Sequence, residues 1–296
     1  MGVKGLYTYL RAYRHDVQVS AEPKLRIGFD AMSMLYKYKS AYEEMYASLQ
    51  VLKDMGHTLL FVFDGKAPVE KAEEVKDRRD VREAAIQQAS IIKDQLNSDT
   101  ISVRERQILE YSVARLEFQG WHMTREIRHA FQKGLFKMGI PYVKAVYEAD
   151  DVLVDLVAAK KLDVIVSTDM DYLLSGLQRM WIPNHISCER FEEILLPEVL
   201  EGEGMDQAAF LDAAILCGVE PLRGKLGINT FTAFNWLRYY KNIESLLRST
   251  VKDSRLDVLR DDELLKSVRA HFEAQPWETR IRPDHLESCK SFLTSL

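Results

Sequence analysis

Cysteine is scarce: Cys188, Cys217 and Cys289 are the only three in 296 residues. They form no motif, and an odd number cannot close into a disulfide framework, so a reducing, intracellular setting (nucleus, cytoplasm or viral factory) is expected. Neither they nor the seven histidines show the spacing of a zinc site. No apolar run approaches the roughly 20 residues that span a bilayer, and the opening MGVKGLYTYLRAYRHD is too polar for a secretory signal. Leu6 stands where N-myristoylation wants Ser or Thr, which argues against a lipid anchor. Glycine loops that cradle phosphates are missing as well, with neither GxxxxGK[ST] nor GxGxxG present. Internal repeats, low-complexity tracts and a disordered tail are also absent, which leaves an ordinary globular chain with room for a large core.

An excess of positive charge is lacking too, since 40 Lys and Arg face 45 Asp and Glu for a net charge of −5. That sum does not exclude a polyanionic partner. Acids gathered into one site leave the rest of the surface basic, so their distribution decides.

Three segments read as buried strands: LRIGFD over 25–30, LLFVFD over 59–64 and DVIVST over 163–168. IPYVKA over 140–145 is a weaker fourth. Helical patterns lie between them, so the expected fold is α/β, a mostly parallel central sheet with helices on both faces. Residues 65–139 carry no strand signal, and a charged helical pattern runs from about Val81 to Lys137. This predicts a core over 1–205 with a helical insertion at about 80–137, then a helical region over 206–296.

Acids mark the ends of these runs. Asp30 and Asp64 close their strands and Asp169 follows the third within a residue. An open parallel sheet binds ligands at the carboxyl ends of its strands. Glu148 and Asp150 open the helix EADDVLVDLVAAKK, and Asp171 lies two residues past Asp169. Helix starts and turns favour acids anyway, which accounts for any one of them but poorly for the set. Crowded carboxylates repel, and a divalent cation relieves the conflict. Hard oxygens of this kind suit Mg²⁺ or Mn²⁺. Two such ions about 4 Å apart activate water and stabilise the leaving oxygen of a phosphodiester.

These residues resemble a family. MGVKGLYTYL is similar to the start of flap endonucleases and their exonuclease and XPG-type relatives, and FDAMSMLYKY and FVFDGKAP to their first two acidic motifs. YEADDVL resembles the third motif in its 5′-exonuclease spelling, and STDMDYLLSG the fourth. ILCGVEPLRGKLGINTFTA resembles the segment with the final acid and a helix–two-turn–helix. The resemblance implies a 5′-nuclease fold and two-metal hydrolysis of DNA at flaps, nicks or gaps in replication, repair or recombination. Asp30, Asp64, Glu148, Asp150, Asp169, Asp171 and Glu220 would hold two Mg²⁺, with Mn²⁺ as substitute. Lys71 and Arg78, seven apart on one helix face, would contact the scissile phosphate at the base of an arch formed by the insertion. A solvated helix laced with ion pairs is the plainer reading of KAEEVKDRRDVR. Tyr36 would stack a nucleobase, and Gly2 and Lys4 would lie against the DNA. Arg223, Lys225, Gly227 and Asn229 would hold duplex phosphates, with K⁺ in the turn as in some relatives. The implied partner is DNA with a 5′ single-strand/duplex junction, the implied state a monomer, and no membrane is involved.

Departures from the pattern are specific. Glu220 replaces the usual Asp, and Asn229 replaces the last glycine of the turn. Asn tolerates the left-handed conformation, so the turn is expected to survive. The basic residues usual beyond the turn are replaced in TFTA, and the C-terminal SCKSFLTSL has no recognisable sliding-clamp motif. The alternatives are a catalytically impaired nucleic-acid-binding scaffold of the same family and a related ribonuclease.

Overall fold

A computed structural model describes residues 3–39, 41–67, 72–97, 101–183, 190–222 and 224–296. Gly2, Lys71 and Arg223 lie outside the described residues. The chain divides into two units, Met1–Gly65 with Gly134–Leu296, and Lys66–Lys133. No helix among the described residues is long and apolar enough to cross a membrane.

The first unit begins with α1 (Leu6–Tyr9), β1 (Arg14–Gln18), β2 (Arg26–Asp30), α2 (Ala31–Tyr38), α3 (Tyr42–Asp54) and β3 (Thr58–Phe63). The second holds α4 (Ala72–Leu96), α5 (Val103–Gly120) and most of α6 (Arg125–Lys137). The first unit then resumes with β4 (Tyr142–Lys144), α7 (Ala149–Ala158), β5 (Val164–Val166), β6 (Arg179–Pro183) and β7 (Arg190–Leu195). Helices α8 (Leu196–Glu203), α9 (Gln207–Gly218), α10 (Thr230–Tyr240), α11 (Ile243–Leu247), α12 (Asp262–Ala270), α13 (Trp277–Arg280) and α14 (Pro283–Ser295) complete it.

The strands form one seven-stranded sheet in the order β1-β7-β6-β5-β2-β3-β4. Pairings from β6 through β4 are parallel, and β1 and β7 add an antiparallel flank. The four expected strands are the contiguous run β5-β2-β3-β4, and β6 (RMWIP) joins them unforeseen. The flank escapes a search for continuous apolar runs because β1 (RHDVQ) is a polar edge and β7 (RFEEIL) only partly alternates. Phe29 lies opposite both Phe61 and Val166, which brings the carboxyl ends of β2, β3 and β5 level. One face of the sheet buries Leu60, Val62, Ile165 and Met180 in the cluster that includes Leu153 of α7 and Phe234 of α10. The other buries Phe29 and Phe61, stacked at 4.7 Å. This is the two-faced burial expected of a parallel α/β sheet.

Among the described residues the long helical pattern comprises α4, α5 and α6. Ser102 accepts from the Glu105 N–H while the Glu105 carboxylate accepts from Ser102 N–H, a capping box that starts α5. Within the second unit Ala85, Ala89 and Val113 are buried, and an added Cβ on Gly120 would come within 2.7 Å of Ile86, so the helices approach closely there.

Candidate active site

The chain leaves β2 for β3 and β4 on one side and returns to β5 on the other, which makes β2/β5 the point where strand order reverses and a crevice opens. Asp30 ends β2 and caps α2, accepting from Ser33 N–H at 3.0 Å. Its second oxygen accepts from Ser167 Oγ at 2.9 Å and Tyr172 OH at 3.3 Å. Across the crevice Ser33 Oγ accepts from Thr168 N–H and meets Thr168 Oγ1, both at 2.8 Å. Asp169 begins a 3-10 turn and accepts from Asp171 N–H at 3.2 Å. Asp171 accepts from Val3 N–H at 2.9 Å. Asp64 follows β3 and accepts from Ala149 N–H at 3.0 Å, which ties the second strand end to the start of α7. Glu148 stands at the N-cap of α7 without using its side chain as the cap, and Asp150 lies in the first turn. Asp150, Asp171 and Glu220 line one cleft, joined there by Asp151, Tyr172, His271, Glu273 and Arg280.

The electrostatics register the crowding. Burial, with the charge of Asp64 next, pushes Asp30 up to about 7. Burial and then the charge of Asp169 push Asp171 up to about 7, with Glu220 adding to it. The buried Tyr172 hydroxyl is driven well above its ordinary range by burial, then by Asp30, Asp150, Asp169 and Asp64 in turn. Acids from five places in the chain therefore share one field. Among the described residues no three Asp, Glu, His or Cys side chains close around a common point. In chemistry the set still fits a hard divalent cation: it is all carboxylate oxygen, and it is electrostatically strained in a way that a positive charge relieves.

Other expected residues fall as follows. Tyr36 on α2 is 40% exposed, one turn beyond Ser33. Lys4 is exposed, and its carbonyl accepts from Thr230 Oγ1 at 3.1 Å, so the N-terminal segment runs between Asp171 and α10. Gly5 turns that segment with φ 84°, and a Cβ there would sit 2.6 Å from Thr230 Oγ1. Arg78 is exposed on α4, in the second unit. Lys225 is exposed in the connection between α9 and α10. Asn229 corrects one expectation: it has φ −56°, not a left-handed value, and its side chain accepts from Phe231 N–H at 3.0 Å as the cap of α10. Capping explains why Asn serves there as well as glycine would. Gly227 O accepts from Arg255 at 3.2 Å, so a guanidinium places positive charge on this turn.

Sequence reasoning missed the polar frame of Ser33, Ser167, Thr168 and Tyr172. Its one visible signal was the hydroxyl pair in STDMD directly before the acids.

The XPG I-region model matches residues 139–220, the stretch from the entry to β4 through Glu220. Flap endonuclease 1 of Meyerozyma guilliermondii is 26% identical over 279 residues, covering 84% of this chain and 70% of the relative. Flap endonuclease 1 of Uncinocarpus reesii is 27% identical over 315 residues, covering 97% and 75%. In fold, the chain is similar to the catalytic core of Rad2 in complex with DNA substrate, with a TM-score of 0.64 at 18% identity over 99% of this chain and 95% of that one. These matches together support a flap endonuclease or XPG-type nuclease. The family match over 139–220 contains α7 and β5, and so Glu148, Asp150, Asp169, Asp171 and Glu220.

Proposed function

We propose that this XPG-type chain is a structure-specific 5′-nuclease that hydrolyses DNA phosphodiesters at junctions between duplex and 5′ single strand, in replication, repair or recombination. One observation carries the reading: Asp30, Asp64, Asp150, Asp169, Asp171 and Glu220 share a single electrostatic field at the crevice where the strand order reverses. Asp30, Asp64, Glu148, Asp150, Asp169, Asp171 and Glu220 would hold two Mg²⁺, or Mn²⁺, which supply an activated water and charge for the leaving oxygen. Ser33, Ser167 and Tyr172 aim Asp30, and Val3 N–H aims Asp171, so the chain presets two of the carboxylates. Tyr36 offers a face for a nucleobase. Lys71 and Arg78 are assigned to the scissile phosphate on the family pattern. Gly2, Lys4, Arg223, Lys225, Gly227 and Asn229 are assigned to the DNA backbone, a contact indifferent to sequence and sensitive to salt. The enzyme would act as a monomer.

The test is cleavage of 5′-labelled flap, nicked duplex and single-stranded RNA, with Mg²⁺, Mn²⁺ or chelator, beside Asp169→Ala. Cutting at the flap junction that needs metal and is lost in the variant is expected. Binding without cutting would instead indicate a scaffold, and preference for RNA a ribonuclease.

A further inference from the structure

The acid-bearing start of α7 is gripped on both flanks by a segment far along the chain. On the upstream flank, Ile281 bridges Ala145 in antiparallel fashion. Val146 N–H donates to Arg280 O at 2.7 Å, and Arg282 N–H donates to Lys144 O at 2.9 Å. On the downstream flank, Arg280 pairs with Asp151 and brings its Nε within 3.2 Å of Asp155. Gln275 N–H donates to Asp155 at 2.6 Å. Asp155 is 1% exposed, so this pairing takes place inside the protein. Glu148 and Asp150 lie between the two grips. So do Tyr147, whose carbonyl accepts from Gly65 N–H at 2.7 Å, and Ala149, whose N–H holds Asp64.

We infer that Arg280 is a positioning residue for the acidic site, acting through α7. Asp151 and Asp155 are one helical turn apart and share a face. Drawing both onto one guanidinium fixes the rotation of α7, which in turn directs Asp150 and Glu148. It also gives Asp151, the third acid of that first turn, a partner outside the metal set. Arg suits the task because its planar fork reaches two carboxylates at once, which a lysine ammonium does less well. Replacing a residue behind a metal's ligands typically costs roughly 10–100-fold in affinity. The inference rests on the proposed metal-binding reading of the acids.

The experiment measures Mn²⁺ binding to the full chain by electron paramagnetic resonance of the unbound ion, with thermal unfolding of each variant followed by circular dichroism. Arg280→Met is expected to weaken Mn²⁺ binding about tenfold, and Arg280→Lys to recover part of the loss. Arg282→Ala should match the wild type, because that side chain pairs only with the exposed Asp284 next to it in the described contacts. A folded Arg280→Met that binds Mn²⁺ as the wild type does overturns the inference. So does a lower unfolding temperature with unchanged affinity, since that marks a merely structural role. Should Arg280→Met fail to fold, the comparison passes to Asp151→Asn, which spares the buried Asp155 contact. A severalfold weakening is expected there, and unchanged affinity overturns the inference. A wild type that takes up no Mn²⁺ sinks the functional reading together with this one. Loss of binding in Asp169→Ala but not in Arg280→Met or Asp151→Asn sinks this one alone.

Discussion

Gly65 lies directly after Asp64, and its surroundings leave no room for a side chain. A Cβ built there falls 2.1 Å from Ala145 O and 2.3 Å from Val146 O. Both atoms are backbone, so neither can rotate aside. Gly65→Ala must part these segments by about 1 Å to reach an ordinary contact. The displaced stretch runs into Glu148 and carries the Tyr147 carbonyl and Ala149 N–H that join it to Gly65 and Asp64. A catalytic constellation tolerates roughly 0.5 Å of error, and a misplacement of about 1 Å slows an enzyme about 100-fold. That factor corresponds to roughly 2.7 kcal/mol of lost transition-state stabilisation. Single-turnover cleavage of a 5′ flap at saturating Mg²⁺, with circular dichroism to verify folding, measures it. A folded variant that cuts within about threefold of the wild-type rate would refute the claim that this contact sets the site geometry.

Further outcomes concern stability, pH and the assigned basic residues. Arg269 donates to Asp212 at 2.8 and 2.7 Å and to Glu244 at 2.6 Å, while Asp212, 2% exposed, also accepts from Ile243 N–H. Arg269→Met strands that buried carboxylate and should cost about 3 kcal/mol in urea unfolding; a change below about 0.5 kcal/mol would show that the junction of α9, α11 and α12 does not depend on it. The Arg26 side chain holds the Asp163 carboxyl below its ordinary range, so the pair contributes stability above the unfolded carboxylate's pKa of about 3.9 and loses it as the pH falls through the lower folded value. Asp163→Asn should therefore flatten part of the acid limb of a stability–pH curve, and an unaltered limb contradicts the assignment. Lys71→Ala is expected to lower kcat about 100-fold with little change in KM, whereas equal losses in rate and binding would remove it from the transition state. Replacing K⁺ by Na⁺ at constant ionic strength should leave flap binding unchanged, because Arg255 already serves the Gly227 carbonyl; a marked fall would show that a monovalent ion is needed after all.

Much of this protein was legible in the chain itself. Short apolar runs that end in Asp, or are followed by it as at Asp169, mark β2, β3 and β5, because a strand buried on both faces must be apolar throughout while its carboxyl end opens on the ligand crevice. The same runs exposed the acids, since a carboxylate is conspicuous beside residues such as Phe29 and Val166. Ser102 with Glu105, and Asn229, also act through local chemistry, although Asn229 was expected in a left-handed turn rather than as a cap.

What only the tertiary structure decided is whatever depends on contact between distant segments. The antiparallel flank, the hydroxyl bridge from Ser33 to Thr168 and the grip of Arg280 on Asp151 and Asp155 all join residues more than 100 positions apart, apart from the hairpin of β6 and β7. Periodicity reports which face of an element is buried, and says nothing of what it is buried against. An arginine in WETRIRPD therefore reads as a surface charge until the fold lays it across α7.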